Sequence, residues 1–221
     1  MRDKMEGRNV KSQDLGLLLK LRAMEVAEYQ ALRDPPSPFA RGDWTDWEFA
    51  PGTSAVEDTL LAGAEQDYTV RGLEMMTGIS KSQINLSLKR VIEVGLVFRG
   101  HKDGTPRVNA RALFEFIAYG ARYVFPARKG EVTRGIGTAF SAPMLRSHLI
   151  SAGELDLVWP DAYGRSRGQA VEPLFKSSPH AVQRDPVLYE LLALVDAIRL
   201  GQPRERMLAT ELLEKRLVSK P

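Results

Sequence analysis

The side chains with the clearest chemistry lie in one short segment, TGISKSQINLSLKRVIEVGLV, which spans residues 77–97. A helix that begins at Ser80 would carry hydroxyl, amide and ammonium groups on one face, with no acid before Glu93. Such groups can donate hydrogen bonds to phosphate oxygens and to base edges in a nucleic-acid groove. This candidate binding face comprises Ser80, Lys81, Ser82, Asn85, Leu86 and Lys89.

Two helices are expected to position this face. Thr69 is a candidate N-cap for the first helix, and Gly78 suits the left-handed backbone that ends many helices. Ser80 and Gln83 have the spacing of a capping box, so the second helix is expected to begin there. Helical spacing predicts one buried apolar stripe, formed by Ile84, Leu88 and Val91. An ordinary helical hairpin that packs a core is the competing interpretation.

A basic hairpin is predicted directly after the second helix. That helix should end at Gly95 and be followed by a strand over residues 96–98. Asp103-Gly104 is a strong signal for a hairpin turn, and the chain would return through residues 107–108. The basic side chains that flank the tip are Arg99, Lys102 and Arg107. A helix, a three-residue turn, a second helix and a basic hairpin is the order of a winged helix-turn-helix.

Over about residues 68–108 the sequence resembles the MarR-like winged helix-turn-helix regulators of bacteria, which usually bind DNA as dimers. It departs from that family at Glu74, where a small alanine is usual, and at Gly72 inside the first helix. The resemblance implies a recognition helix over about residues 80–94 in the major groove. It also implies a wing over about residues 97–108 on the backbone or in the minor groove. The matching residues are Leu73, Thr77-Gly78-Ile79-Ser80, Ile84, Leu88-Lys89-Arg90 and Gly95-Leu96-Val97.

This interpretation defines a set of candidate DNA-binding residues. The amides of Gln83 and Asn85 can each form paired hydrogen bonds with an adenine edge, whereas Lys89 and Arg90 are expected mainly to hold phosphates. The complete set is Ser80, Lys81, Ser82, Gln83, Asn85, Lys89, Arg90, Arg99, Lys102 and Arg107.

Charge is unevenly distributed along the chain. The net charge is +3, but residues 80–135 contain eleven Lys or Arg against four acids, a local charge of +7. The remaining residues therefore sum to −4. A basic segment in a nearly neutral chain indicates a focused anionic partner. A solvated surface accounts for the charge equally well.

Other classes of protein receive less support from the sequence. The chain has no cysteine, which excludes disulfides and thiolate chemistry. The three histidines, His101, His148 and His180, lack the spacing of metal ligands. We therefore expect no cofactor, no metal and no enzymatic activity. The apolar run near the N-terminus is interrupted by Lys20 and Arg22, so no membrane span or signal peptide is predicted and a cytoplasmic location is expected.

The sequence predicts a mainly α fold with small β elements, an α+β class, divided into two regions. Residues 10–125 would form the DNA-binding domain, with a helix from about Ser12 to Leu32 and an inserted loop at residues 33–53. Within that loop Trp44, Trp47 and Phe49 should dock on the protein's own surface, and a partner or effector contact is the alternative. A further helix should begin at Asn109 and end before residue 126, with an apolar face of Leu113, Phe116, Ile117 and Tyr123.

Residues 126–221 would form a C-terminal extension with a β-hairpin and two helices. The segment before the hairpin reads as irregular, and the hairpin strands are expected at residues 155–159 and 169–174. Asp185-Pro186 signals the start of the first helix, and a second should run from about residue 203 to 218. The two terminal helices are expected to form a homodimer, and packing onto their own domain is the alternative. The leucine-rich stripe of the first helix comprises Leu188, Leu191, Leu192, Val195 and Ile198.

From the sequence we expect that the protein is a transcriptional regulator, specifically a repressor, and that it binds double-stranded DNA as a dimer. The alternative is an antitoxin-like or defence-system protein that binds a neighbouring protein through its C-terminal half. A protein partner or small-molecule effector is compatible with both.

Overall fold

The computed structural model describes residues 9–31, 44–48, 67–100, 103–148 and 155–218. This part of the chain combines many helices with two small sheets, so the predicted α+β class is confirmed. Some predictions lie outside the described residues: Lys102 of the hairpin tip, Phe49 and most of the 33–53 loop.

The N-terminal half contains four helices and a hairpin in the described residues. Three predicted caps are confirmed, because the side chains of Thr69 and Asn109 accept hydrogen bonds from the backbone amides of Gly72 and Ala112, and Gly78 has a φ of +68°. The helix after the hairpin contains a π-helical turn, Ile117–Ala121, followed by a last α-helical turn, Arg122–Val124. The elements are α1 (Ser12–Ala31), α2 (Val70–Thr77), α3 (Lys81–Glu93), β1 (Val97–Arg99), β2 (Pro106–Val108) and α4 (Ala110–Phe116).

The C-terminal half forms a three-stranded sheet followed by helices. Its first strand was predicted to be irregular chain and is a nine-residue strand instead. The elements are β3 (Lys129–Gly137), β4 (Leu157–Pro160), β5 (Ser166–Val171), α5 (Ser178–Val182), α6 (Pro186–Leu200) and α7 (Pro203–Leu217), with a 3₁₀ turn at Ala139–Ser141 between β3 and β4.

The predicted C-terminal β-hairpin is wrong. Strands β4 and β5 are parallel neighbours, with Leu157 beside Gln169, and each pairs antiparallel with β3, so the three strands close on one another. Glycine makes this closure possible. A Cβ atom on Gly164 would lie 2.1 Å from the carbonyl carbon of Gly135, and one on Gly135 would lie 2.0 Å from the carbonyl oxygen of Trp159.

Helices α1 and α6 form the centre of the molecule. Five leucines of α1 are fully buried: Leu15, Leu17, Leu18, Leu19 and Leu21. Every residue of α6 from Leu188 to Arg199 is also buried, including the whole leucine-rich stripe. The expectation that this stripe is a dimer surface is therefore wrong, because its side chains are already covered by the same chain.

The two predicted regions share one hydrophobic core. Lys20 of α1 forms a 2.8 Å ion pair with Asp185, and Arg22 donates two hydrogen bonds to the carbonyl oxygen of Leu217. Across the predicted boundary, Nε of Arg199 donates to the carbonyl oxygen of Phe125 at 2.7 Å. The division at residue 126 thus does not separate two cores.

Two aromatic predictions have different outcomes. Trp44 and Trp47 are buried and pack edge to face with their ring centroids 5.3 Å apart, so their docking on the protein's own surface is confirmed. Tyr123, placed by the sequence on the apolar face of the helix after the hairpin, is 78% exposed. The π-helical turn before it changes the helical phase and directs this side chain outwards.

None of the helices in the described ranges is long and apolar enough to cross a membrane.

Candidate nucleic-acid interface

The connection between α2 and α3 is a tight, well-bonded turn. Gly78 occupies the left-handed region, and the Thr77 hydroxyl donates to the carbonyl oxygen of Leu73 at 2.6 Å. From the C-terminal half, the hydroxyl of Ser177 donates to the carbonyl oxygen of Thr77 at 2.7 Å. A Cβ atom on Gly78 would lie 2.9 Å from that of Ser177, so glycine is needed here for both space and conformation. The turn is thereby held from two sides.

The buried side of α3 contains more than the predicted apolar stripe. Ile84 and Val91 are fully buried and Leu88 is partly buried, which confirms the stripe. Ser87 and Arg90 are buried with them, and both contact the carboxylate of Asp14 on α1. The Ser87 hydroxyl donates to Oδ1 of Asp14 at 2.5 Å, and Asp14 is itself fully buried.

Arg90 is a correction to the predicted DNA-binding set. Its guanidinium donates from Nε to Oδ2 of Asp14 at 2.7 Å and from Nη2 to Oδ1 at 2.5 Å, and only 7% of the residue is exposed. These hydrogen bonds raise the pKa of Arg90 above its ordinary value. A guanidinium used in this way cannot reach a phosphate without breaking a buried ion pair. Arg90 is therefore a structural residue.

The opposite side of α3 is exposed and polar. Ser80, Lys81, Ser82, Gln83, Asn85, Leu86 and Lys89 are all exposed. Lys81 lies 3.6 Å from the Glu74 carboxylate of α2, an exposed pair of low expected strength. The predicted capping box is wrong, because the Ser80 side chain makes no cap hydrogen bond and instead lies 3.3 Å from the Ser82 hydroxyl. Both residues nevertheless remain on the exposed face.

The Gln83 amide contacts helix α1 at the edge of this face. Nε2 of Gln13 donates to Oε1 of Gln83 at 3.1 Å and lies 3.4 Å from the Ser87 hydroxyl. Sequence patterns do not reveal Gln13 and Asp14 as part of this site, because their contacts join residues seventy or more positions apart. The only signal was the pair of polar residues at the start of an otherwise apolar helix.

The basic residues of the β1–β2 hairpin differ in their exposure and in their partners. Phe98 pairs with Arg107 in the antiparallel register, and the exposed Arg99 donates to the carbonyl oxygen of Gly104 at 3.2 Å. Arg107 instead forms a 2.7 Å ion pair with Glu28 of α1 and lies over the ring of Tyr68. Arg107 therefore attaches the hairpin to α1, and Arg99 is the better placed of the two for an external anion.

This packing raises the pKa values of Arg107 and Tyr68. The hydrogen bond that the Arg107 guanidinium donates to Glu28 raises the pKa of Arg107 above its ordinary value. Burial raises the pKa of the Tyr68 hydroxyl, and the hydrogen bond with Glu28 adds to the increase. At neutral pH the Tyr68 phenol therefore stays neutral beside the Arg107 cation. The backbone amide of Val108 is also held, at 2.7 Å, by Oε1 of Glu25.

Other kinds of site are poorly developed in the described part of the chain. It contains no group of three or more His, Asp or Glu side chains that could hold a metal ion. A cleft of about 150 Å³ lies between the start of β3 and the α6–α7 turn, lined by Lys129, Phe140, Arg146, Asp156 and Glu205 among others. Pockets for small molecules usually have volumes of about 300–1,000 Å³. A bound effector thus stays a prediction.

Comparison of the chain with protein-family models, with curated proteins and with solved structures finds no match.

Proposed function

We propose that this protein is a transcriptional regulator, a repressor of the winged helix-turn-helix kind, that binds double-stranded DNA sequence-specifically. Helix α3 would lie in the major groove, and the β1–β2 hairpin would contact the backbone or the minor groove. The proposed contact residues are Ser80, Lys81, Ser82, Gln83, Asn85, Lys89, Arg99 and Lys102. Arg90 is left out, and Arg107 supports the hairpin.

One observation carries the proposal, which is the division of α3 into two chemically distinct sides. The buried side is fixed by apolar packing and by the Asp14–Arg90 ion pair. The other side presents hydroxyl, amide and ammonium groups over three turns and has no acid before Glu93. A solvated helix face is also polar, but it usually carries acids among its bases, and this one carries none before Glu93. Such a face matches phosphates and base edges.

A homodimer belongs to the proposal because two recognition helices related by a two-fold axis read an inverted repeat. The half-site centres should then lie about 10 base pairs apart, or a multiple of that. Helix α6 does not supply the contact between subunits, since its stripe is buried within one chain. Sedimentation at micromolar concentration tests the dimer separately from DNA binding.

Selection of DNA by the purified protein tests the function directly. A random duplex library is incubated with the full chain near 150 mM salt, and bound duplexes are sequenced over several rounds. We expect a recurring motif whose affinity exceeds that of random DNA by at least about 1,000-fold. Recovery of no motif, with equal affinity for all duplexes, would exclude sequence-specific recognition.

A second candidate is a protein-interaction component of the antitoxin-like class, although its exposed surface precedes the C-terminal half to which the sequence assigned partner binding. It is favoured by exposed apolar residues on the helical segment that follows the hairpin: Tyr119 is 73%, Tyr123 78% and Val124 52% exposed. Exposed aromatic groups of this kind are enriched in protein interfaces. Co-expression with the products of neighbouring genes and affinity capture would detect such a partner. The variant Tyr119→Ser with Tyr123→Ser should abolish capture if this surface is used.

A further inference from the structure

The side chain of Gln13 reaches from α1 to the proposed DNA-reading face of α3. Its Nε2 atom lies 3.1 Å from Oε1 of Gln83 and 3.4 Å from the Ser87 hydroxyl. Gln83 is exposed and Gln13 is partly exposed, so the contact lies at the border between the core and solvent. The two glutamines come from opposite sides of the α1–α3 packing surface.

The position of Gln13 is fixed by the residue that follows it. Asp14 binds Arg90 and Ser87 of α3, and its Oδ2 atom also accepts a hydrogen bond from the backbone amide of Lys11 at 2.8 Å. The first turn of α1 therefore cannot rotate relative to α3 without breaking a buried charged network. Gln13, one residue before Asp14, is consequently held beside Gln83.

The contact determines which end of the Gln83 amide is available. An amide has one oxygen acceptor and a nitrogen with two donors. With its oxygen directed at α1, Gln83 can present its nitrogen outwards but cannot direct both atoms towards one base. Paired recognition of adenine needs both, because the adenine edge offers one acceptor and one donor. The guanine edge offers two acceptors, N7 and O6, which two N–H donors can satisfy.

We propose that Gln13 is a specificity-determining residue, which orients the Gln83 amide so that this position reads guanine instead of adenine. The inference rests on the DNA-binding function proposed above and deepens it. It replaces the adenine contact that the sequence predicts for Gln83. Gln13 itself acts through Gln83 and is a positioning residue.

Substitution of Gln13 by glutamate is the sharpest test. A carboxylate only accepts hydrogen bonds, so it would draw the Gln83 nitrogen towards α1 and turn the oxygen outwards. The preference at one base pair should then move from guanine to adenine or cytosine, which present an amino donor in the major groove. In Gln13→Ala the Gln83 amide is released, and the guanine preference at that base pair should fall about 10-fold.

The measurement is fluorescence anisotropy on the selected duplex and on the three other base pairs at each position of its half-site. Lys11→Gln is the matched control, because it changes the charge of the same turn by the same amount and does not touch Gln83. It should leave the order of preference unchanged at every position. Thermal melting of each variant verifies that the fold is intact.

The possible outcomes separate this inference from the function on which it rests. If wild type discriminates between bases but both Gln13 variants retain the same order of preference at every position, the role of Gln13 is overturned and the DNA-binding function stands. If wild type itself shows no base preference, the proposed function fails, and the inference fails with it. A changed preference at one base pair in both variants, absent in Lys11→Gln, supports the inference.

Discussion

Arg90 of α3 and Asp14 of α1 form a buried ion pair with two hydrogen bonds, 2.7 and 2.5 Å long. The two residues are 76 positions apart, and this contact fixes the orientation of α3 on the core. A basic residue in the LKR segment is thus used inside the molecule. The Arg90–Asp14 pair therefore supports α3 from the inside, whereas only the exposed side chains of α3 could contact DNA.

Removal of one partner of this pair should strongly destabilise the fold. In Asp14→Ala the Arg90 charge stays buried without compensation, and we expect a loss of roughly 3–5 kcal/mol in the free energy of unfolding. Urea denaturation followed by circular dichroism measures this loss. The double variant Asp14→Ala with Arg90→Leu should lose less than the sum of the two single variants. Additive losses would contradict a direct interaction between the two side chains.

Asn85 and Lys89 should differ in what their loss does to DNA binding. Asn85→Ala should reduce discrimination at one base pair by roughly 1–3 kcal/mol, because an amide can read a base edge. Lys89→Ala should weaken binding to all sequences and reduce the log–log salt slope by about 0.9, the value for one phosphate contact. Equilibrium titrations at several salt concentrations distinguish the two effects. Equal weakening of specific and random DNA by Asn85→Ala would remove Asn85 from base reading.

Alanine variants of the two hairpin arginines should differ in their effects on DNA binding and on stability. Arg99→Ala should reduce the salt slope by about 0.9, since Arg99 is exposed and has no carboxylate partner among its contacts in the described chain. Arg107→Ala should leave the slope nearly unchanged and lower the free energy of unfolding by about 1 kcal/mol, because it breaks the Glu28 contact. The reverse assignment of these effects would show that the hairpin is attached differently in the complex.

Charges placed in the α6 stripe should unfold the protein and should not dissociate a dimer. Leu192 and Val195 are buried within the chain, so Leu192→Asp with Val195→Asp would bury two carboxylates without partners. We expect loss of the cooperative thermal transition. Met207→Asp on α7 is the control, because Met207 is 62% exposed and should tolerate the charge. A folded double variant of half the wild-type mass would restore α6 as a dimer surface.

The closed three-stranded sheet should be sensitive to one methyl group at Gly164. Its added Cβ would lie 2.1 Å from the backbone of Gly135, which cannot move away independently. We therefore expect Gly164→Ala to lower stability by more than about 4 kcal/mol, in the range of exceptional substitutions. Gly130→Ala serves as the comparison, since its Cβ would lie 3.3 Å from the Ala170 Cβ and 3.7 Å from the Ala170 carbonyl oxygen. Similar melting temperatures for the two variants would contradict the tight crossing.

Local signals in the sequence were sufficient for the longer helices and for several of their ends, but not for the cap of α3. Thr69, Gly78, Asn109 and Asp185 each act over three or four residues, and the structure confirms all four. Helix α1 was predicted to end near residue 32 and ends at residue 31. Such features depend on short-range hydrogen bonds and on the backbone preferences of single residues, which a sequence displays directly.

Long-range pairing was the part that the sequence did not reveal. The segments at residues 155–159 and 169–174 have the pattern of two strands, but the pattern does not state which strand lies beside which. β3 was missed because glycines and charges interrupt its alternation, and those glycines are what the closed sheet needs. Likewise the stripe of α6 predicts an apolar surface without showing what covers it. At the site, Arg90 has the chemistry of a phosphate ligand, and only the fold shows that its partner is Asp14.

The contacts of α1 also govern the order in which this chain can fold. Lys20 pairs with Asp185, 165 positions later, and Arg22 binds the Leu217 carbonyl, 195 positions later. A ribosome adds about 5–20 residues each second, so α1 is made roughly 10–30 seconds before these partners exist. During that interval its leucines have no α6 to cover them. Since α3 is oriented by α1, a nascent chain would lack a correctly oriented α3, and the proposed DNA recognition would begin only after synthesis of the last helices.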